Sequence, residues 1–278
     1  MLDGIWGLDM RCFASIIWVV ILGLMLWGVG FAFQRGFRGF PYEEDNPAPM
    51  PADAAEKTEF AFARLRYPSI NSRGGYWGFR SRWSTDYPKA DRQFVQGVRR
   101  LSRIHTRSVE QVVDPDGDEI FKWPWIYAVE VGHWSLTEAQ AKKLREYLLR
   151  GGFLMTDDFH GTWEWEIFMA SLSQVFPDRP VVDIENKDAI FHVLYDLDER
   201  FQVPGIQYFR SGRTYEQDGV EARWRGIYDD RGRLMVAICH NMDLGDAWEW
   251  ADYPRYPERY ASLAYRIGIN YIIYAMTH

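Results

Sequence analysis

The chain has 278 residues and a net charge of −7, which allows one substantial domain with an accessory segment and excludes a basic, phosphate-tracking surface, so no nucleic-acid partner is expected. Two cysteines, Cys12 and Cys239, without CxxC spacing exclude a disulfide framework and a thiolate metal site. The 13 Trp exceed what a core needs, so several indoles are expected at interfaces or binding surfaces.

Residues 1–12 read as a short tail. Phe13 to Phe33 carry no charge and lie between Arg11 and Arg35. At about 1.5 Å per residue this run crosses a hydrocarbon core of roughly 30 Å, which predicts a transmembrane helix over 13–34. It is long for a signal peptide and no small-x-small cleavage site follows. Trp6, Trp18 and Trp27 lie near or inside the span, the outer ones suited to the interface. The span contains no ionisable residue, so it offers no proton relay and no imidazole for a pigment or haem, and its role is anchoring or helix docking. Residues 35–57, rich in Pro, Ala and acid, read as an extended tether.

The globular domain is expected over 58–278. Phe60 to Tyr67 reads as its first strand, followed by a loop rich in Gly, Arg and Trp. A helix beginning around 86–88 carries Phe94, Val98, Leu101 and Ile104 on one stripe. Val109 to Val113 is the next strand. Trp125 to Val131 is a buried strand, and Ser135 with Glu138 has capping-box spacing for the helix that follows. Its stripe is Ala141, Leu144, Tyr147 and Leu148, and Gly151-Gly152 stops it. Phe153 to Thr156 is a second buried strand, ending in Asp157-Asp158. Two such strands joined by a helix imply a parallel pair. A helix over 163–176, a short strand over 181–184, a hairpin of 221–228 with 233–240, and a last helix over 257–276 complete the reading. The fold expected is an α/β, flavodoxin-like three-layer sandwich with a mostly parallel sheet behind one transmembrane helix.

The stretch GH…SLTEAQAKKLREYLLRGGFLMTDDF, the later DLGDAWEW and the ending RIGINYIIYAMTH resemble a bacterial family known as domain of unknown function 4159, over roughly residues 58–278. The resemblance implies a class I glutamine-amidotransferase-like fold, often membrane-anchored or exported, with no established activity. An amidotransferase needs a nucleophilic cysteine on a glycine-flanked elbow. Cys239, in MVAICHNMDLG, reads instead as mid-strand with a loop after it, so glutamine hydrolysis is not expected. Ile5-Trp6…Asp9-Met10-Arg11 is similar to the interfacial stretch of purple-bacterial antenna polypeptides, which points to packing beside a larger membrane complex, a photosynthetic one for example.

Two constellations could carry function. Ligands in open α/β sheets sit beyond the carboxyl ends of strands, where His133, Asp157, Asp158, His160, His240, Asn241 and Asp243 fall. His133, Asp157, Asp158 and His240 would suit a divalent metal in a hydrolase or carbohydrate-binding enzyme, with Glu164 and Glu166 nearby as a base. Against this, such an Asp often caps a helix, as Asp158 or Thr162 could do for the helix at 163, and no pair has zinc-ligand spacing. The second constellation is aromatic and basic: Trp77, Arg80, Trp83, Trp163, Trp165, Trp248 and Trp250 read as interface anchors. The leading expectation is a non-catalytic docking or scaffold subunit of an integral membrane complex, without cofactor or metal. Its localisation is the bacterial inner membrane, with the globular domain periplasmic.

Overall fold

The computed structural model describes residues 50–70 and 82–278. The expected span over 13–34 with Trp6, Trp18 and Trp27, most of the tether, and the loop residues Trp77 and Arg80 lie outside them. Among the described residues no helix is long and apolar enough to cross a membrane. The strands are β1 (Ala63–Leu65), β2 (Gln111–Val113), β3 (Trp125–Val129), β4 (Phe153–Asp157), β5 (Val182–Asp183), β6 (Arg223–Tyr228) and β7 (Leu234–His240). The described helices are α1 (Lys89–Leu101), α2 (Glu138–Leu149), α3 (Gly161–Val175), α4 (Tyr208–Ser211), α5 (Leu244–Glu249) and α6 (Glu258–Thr277).

The strands form one seven-stranded sheet in the order β2-β1-β3-β4-β7-β6-β5. β2, β1, β3, β4 and β7 run parallel, and the β6–β7 hairpin and β5 continue the sheet antiparallel. The protein is therefore mixed α/β with a mostly parallel sheet. Strand alternation divides the core. Phe62, Trp125, Tyr127, Phe153 and Met155 face one buried cluster with Phe94 and Val98 of α1, Trp248 of α5, and Ile267 and Tyr271 of α6. The alternate residues Ile126, Ala128 and Leu154 point to the other face and are equally buried, as are Leu144, Leu148, Phe168 and Leu172 of α2 and α3. Much of the aromatic excess goes into the first cluster: Trp248 lies 4.4 Å from Phe94, 5.4 Å from Tyr127 and 6.2 Å from Phe62 between ring centroids.

Several boundaries differ from the sequence reading for identifiable reasons. β3 stops at Val129 because Glu130 turns left-handed (φ 51°), and Val131–His133 form a 3-10 turn. The α2 capping box is Thr137 with Gln140, not Ser135 with Glu138. Ser135 is occupied elsewhere, its N–H donating to Pro68 O at 2.7 Å. The segment after β7 is not only loop but includes the short helix α5, capped by the Asp243 side chain. Within the expected tether, Asp53 already belongs to the domain, accepting hydrogen bonds from Ser108 N (3.0 Å) and Oγ (2.7 Å).

Candidate functional site

Three adjacent parallel strands leave the sheet through the same unusual backbone. Glu130 after β3 (φ 51°), Asp158 after β4 (φ 53°) and Asn241 after β7 (φ 65°) are all left-handed non-glycine residues. Such residues carry strain that surrounding structure must hold, and they concentrate at functional sites. Tyr67 closes the β1 side, its hydroxyl donating to Val129 O (2.5 Å) and Glu130 O (2.9 Å). Gly132 is needed for close approach: a Cβ there would lie 2.5 Å from the Glu164 Cβ. Its absence lets α3 press Glu164 against the β3 exit. The N-terminal amides of α3 are satisfied from distant segments, Gly161 N by Asn241 Oδ1 (2.8 Å) and Thr162 N by Asp218 Oδ1 (2.9 Å). Neither Asp158 nor Thr162 caps this helix; its N-cap residue is His160.

Above these exits lies a cavity of about 320 Å³. Among the described residues, seven carboxylates line it (Asp86, Glu130, Asp158, Glu164, Glu216, Asp243 and Asp246), with His133, His160, Thr85, Ile206 and one guanidinium, Arg82. Burial, and then the crowding of like charges, pushes Asp86, Asp158 and Asp243 well above the usual carboxylate range. Glu130 rises to about 8, because burial and the Asp158 carboxylate outweigh Arg82 and His133. Glu164 behaves oppositely: burial opposes its charge, but His133 and the His160 N–H (2.6 Å) outweigh burial and hold it below its ordinary value. His133 Nε2 sits between Glu130 Oε2 (3.3 Å) and Glu164 Oε1 (3.5 Å), a geometry suited to holding or passing a proton.

Oxygen atoms of Asp86, Asp158 and Asp243 lie within 4.8 Å of one another, as do those of Asp86, Asp246 and Glu249. Of the four strand-end residues singled out from sequence, the structure brings His133 and Asp158 into the cavity together with His160. The other two serve elsewhere. Asp157 Oδ2 accepts from Leu244 N (2.7 Å), Gly245 N (3.0 Å) and the Tyr127 hydroxyl (3.1 Å), so it holds the first turn of α5. His240 donates through Nε2 to Gly161 O at 3.2 Å and packs between Phe159 and Trp165, each 4.8 Å away. Burial pushes it down to about 4, so it stays neutral. Sequence reasoning missed Asp86, Glu130, Glu216 and Asp246. The only local signal for Glu130 was the acid interrupting an apolar run before Gly132, and Asp86 had none beyond preceding a helix.

The profile of the family described as domain of unknown function DUF4159 matches residues 61–276. The chain belongs to that family. No curated protein matches it. In this DUF4159 domain the expected interface aromatics divide sharply. Trp83 and Trp248 are buried at 1% and 0% exposure, Trp83 on the 3-10 turn Arg82–Ser84 and Trp248 on α5, and both pack inside the domain. Trp165 is half-buried beneath Arg225, whose guanidinium stands 4.5 Å above its ring. Trp250 is half-buried, with Lys89 Nζ 4.4 Å from its ring and its Nε1 donating to Asp246 Oδ1 at 3.2 Å. Trp163 alone among the described indoles is exposed, at 53%, and its ring lies 5.6 Å from that of His133 at the cavity rim.

Proposed function

We propose that this chain is a non-catalytic docking subunit of an integral membrane complex, held at the bilayer by residues 13–34 and tethered by the segment that follows, up to Asp53. The domain then works outside the bilayer, on the periplasmic side of a bacterial inner membrane. The finer fold reading is flavodoxin-like and amidotransferase-like: the parallel strands β2-β1-β3-β4-β7 follow the 2-1-3-4-5 order of that class. The observation that carries the non-catalytic reading is what occupies the left-handed elbow positions. They hold Glu130, Asp158 and Asn241, none of them a thiol or hydroxyl nucleophile, while Cys239 is 0% exposed inside β7.

Docking is supported by Trp163, a large apolar ring exposed beside a strongly acidic mouth, which suits a partner surface bearing apolar and basic side chains. Membrane tethering raises the effective concentration of such a partner, so a modest interface suffices. Purification of the full chain from its native membrane in mild detergent, followed by mass spectrometry, tests this. Stoichiometric integral membrane subunits are expected with the parent chain, and Trp163→Ala should lose most of them while leaving the fold unchanged. A parent chain that elutes alone would sink the reading.

A second reading is a metal-dependent hydrolase, favoured by His133 poised between Glu130 and Glu164 beside the carboxylate trio. Divalent-cation-dependent turnover across a panel of ester and phosphoester substrates would support it. Absence of turnover across the panel would leave the docking reading alone.

A further inference from the structure

We propose that the strand-end cavity binds a hard divalent cation of the calcium, magnesium or manganese type, ligated by carboxylate oxygens of Asp86, Asp158 and Asp243. The assignment goes beyond the docking reading and holds whether or not the cavity does chemistry. The three carboxylates come from three separate segments, before α1, after β4 and before α5, and their oxygens converge within 4.8 Å. Like charges so placed repel one another unless a cation or protons lie between them. Two of the three residues, Asp86 (φ 60°) and Asp158 (φ 53°), adopt left-handed backbone at a cost in local strain.

The cluster does not stand alone. His160 is 3% exposed and lines the same cavity; its Nε2 contacts Asp158 Oδ1 at 3.2 Å, while its Nδ1 is buried without a partner. Asp86 Oδ2 is likewise buried without a hydrogen bond. Buried polar atoms are nearly always paired, so two unpaired ones among the described residues that line one cavity point to a missing ligand. A cation bound by the trio satisfies Asp86 directly. His160 Nε2–H then orients Asp158, the usual role of an imidazole behind a ligating carboxylate.

Gly205 provides the space: a Cβ there would come within 2.3 Å of Asp243 Oδ2. Asp243 Oδ1 is used on Asp246 N at 2.7 Å, which leaves Oδ2 for the cation. The alternative trio with Asp246 and Glu249 is the weaker choice. Asp246 already accepts from Ile206 N (2.5 Å) and Trp250 Nε1 (3.2 Å) through its two oxygens. An all-oxygen set without thiolate selects hard cations.

Calorimetric titration of Ca²⁺ and of Mn²⁺ into the chelator-treated full chain in mild detergent tests the site, with thermal melting alongside. One cation per chain is expected, with a rise in melting temperature of about 5–10 °C at roughly 100 times Kd. Asp86→Asn and Asp158→Asn should each weaken binding about 10-fold or more, because Asn keeps the shape and tolerates left-handed backbone but lacks the charge. Both variants should melt higher than the parent without cation, since a like charge is gone, which separates loss of a ligand from loss of fold. No uptake of either cation up to about 5 mM, weaker than natural extracellular calcium modules, would overturn the proposal. Undiminished uptake in both variants would overturn it equally.

Discussion

Asp91→Ala is expected to lower the stability of the domain by about 3–5 kcal/mol, the cost of leaving a buried charge without its partner. Arg64 on β1 and Asp91 on α1 are both fully buried. Arg64 Nε donates to Asp91 Oδ1 (3.0 Å) and Oδ2 (2.9 Å), and its Nη2 makes a further short contact to Oδ1. Its Nη1 donates to the carbonyls of Trp83 (3.1 Å) and Thr85 (2.9 Å). The guanidinium therefore pins the segment that delivers Asp86 to the cavity as well as joining the sheet to α1. Urea denaturation of the single variant, and of Arg64→Met with Asp91→Leu, separates the two roles. The double variant should recover part of the lost stability, because an apolar pair avoids the desolvation cost of the charges but leaves the Trp83 and Thr85 carbonyls without their donor. It should not recover cation binding, because the carbonyls of Trp83 and Thr85 have lost their anchor. A single-variant loss below about 1 kcal/mol would show that solvent reaches the pair after all.

Glu130→Gln is expected to stabilise the cation-free chain at alkaline pH and to leave it unchanged in acid. Glu130 ionises near 4.5 when unfolded and at about 8 in the folded chain, so the folded state holds its proton more tightly. Its contribution to stability is complete below the unfolded value and is lost as pH rises through the folded one. The variant should therefore exceed the parent by on the order of 5 kcal/mol at about pH 9 and match it near pH 4. Little is lost with the Arg82 contact, whose guanidinium is 48% exposed. Urea midpoints measured across that range check the claim. Parallel pH profiles for the two proteins would mean that Glu130 ionises at the same pH folded as unfolded.

These two expectations show where sequence reading stops. Arg64 stands in an otherwise apolar strand and reads as an interruption, and its partner lies on a helix whose polar face looks solvated. Only the docking of α1 on β1 makes the pair buried. Trp248 and Trp163 pose the converse case, since each sits in an alternating Trp-acid segment. The α5 turn carries Trp248 into the cluster with Phe94, while the first turn of α3 leaves Trp163 in solvent. The choice between core and surface depends on which neighbour each helix meets, and the residue pattern does not carry that.

By itself the sequence determined the strand–helix–strand unit over 125–157, the β6–β7 hairpin, the last helix and hence a mixed α/β sheet, because alternation, capping and turn chemistry act within a few residues. It also placed His133, Asp158 and His160 at strand exits. Tertiary structure decided which of those exits share a cavity, that Asp157 and His240 are spent on holding α5 and α3, and that Asp86, Glu130 and Asp246 join the acidic set. The physical reason is that left-handed exits and burial are imposed by the order of strands in the sheet and by helix packing, so they arise from segments far apart in the chain.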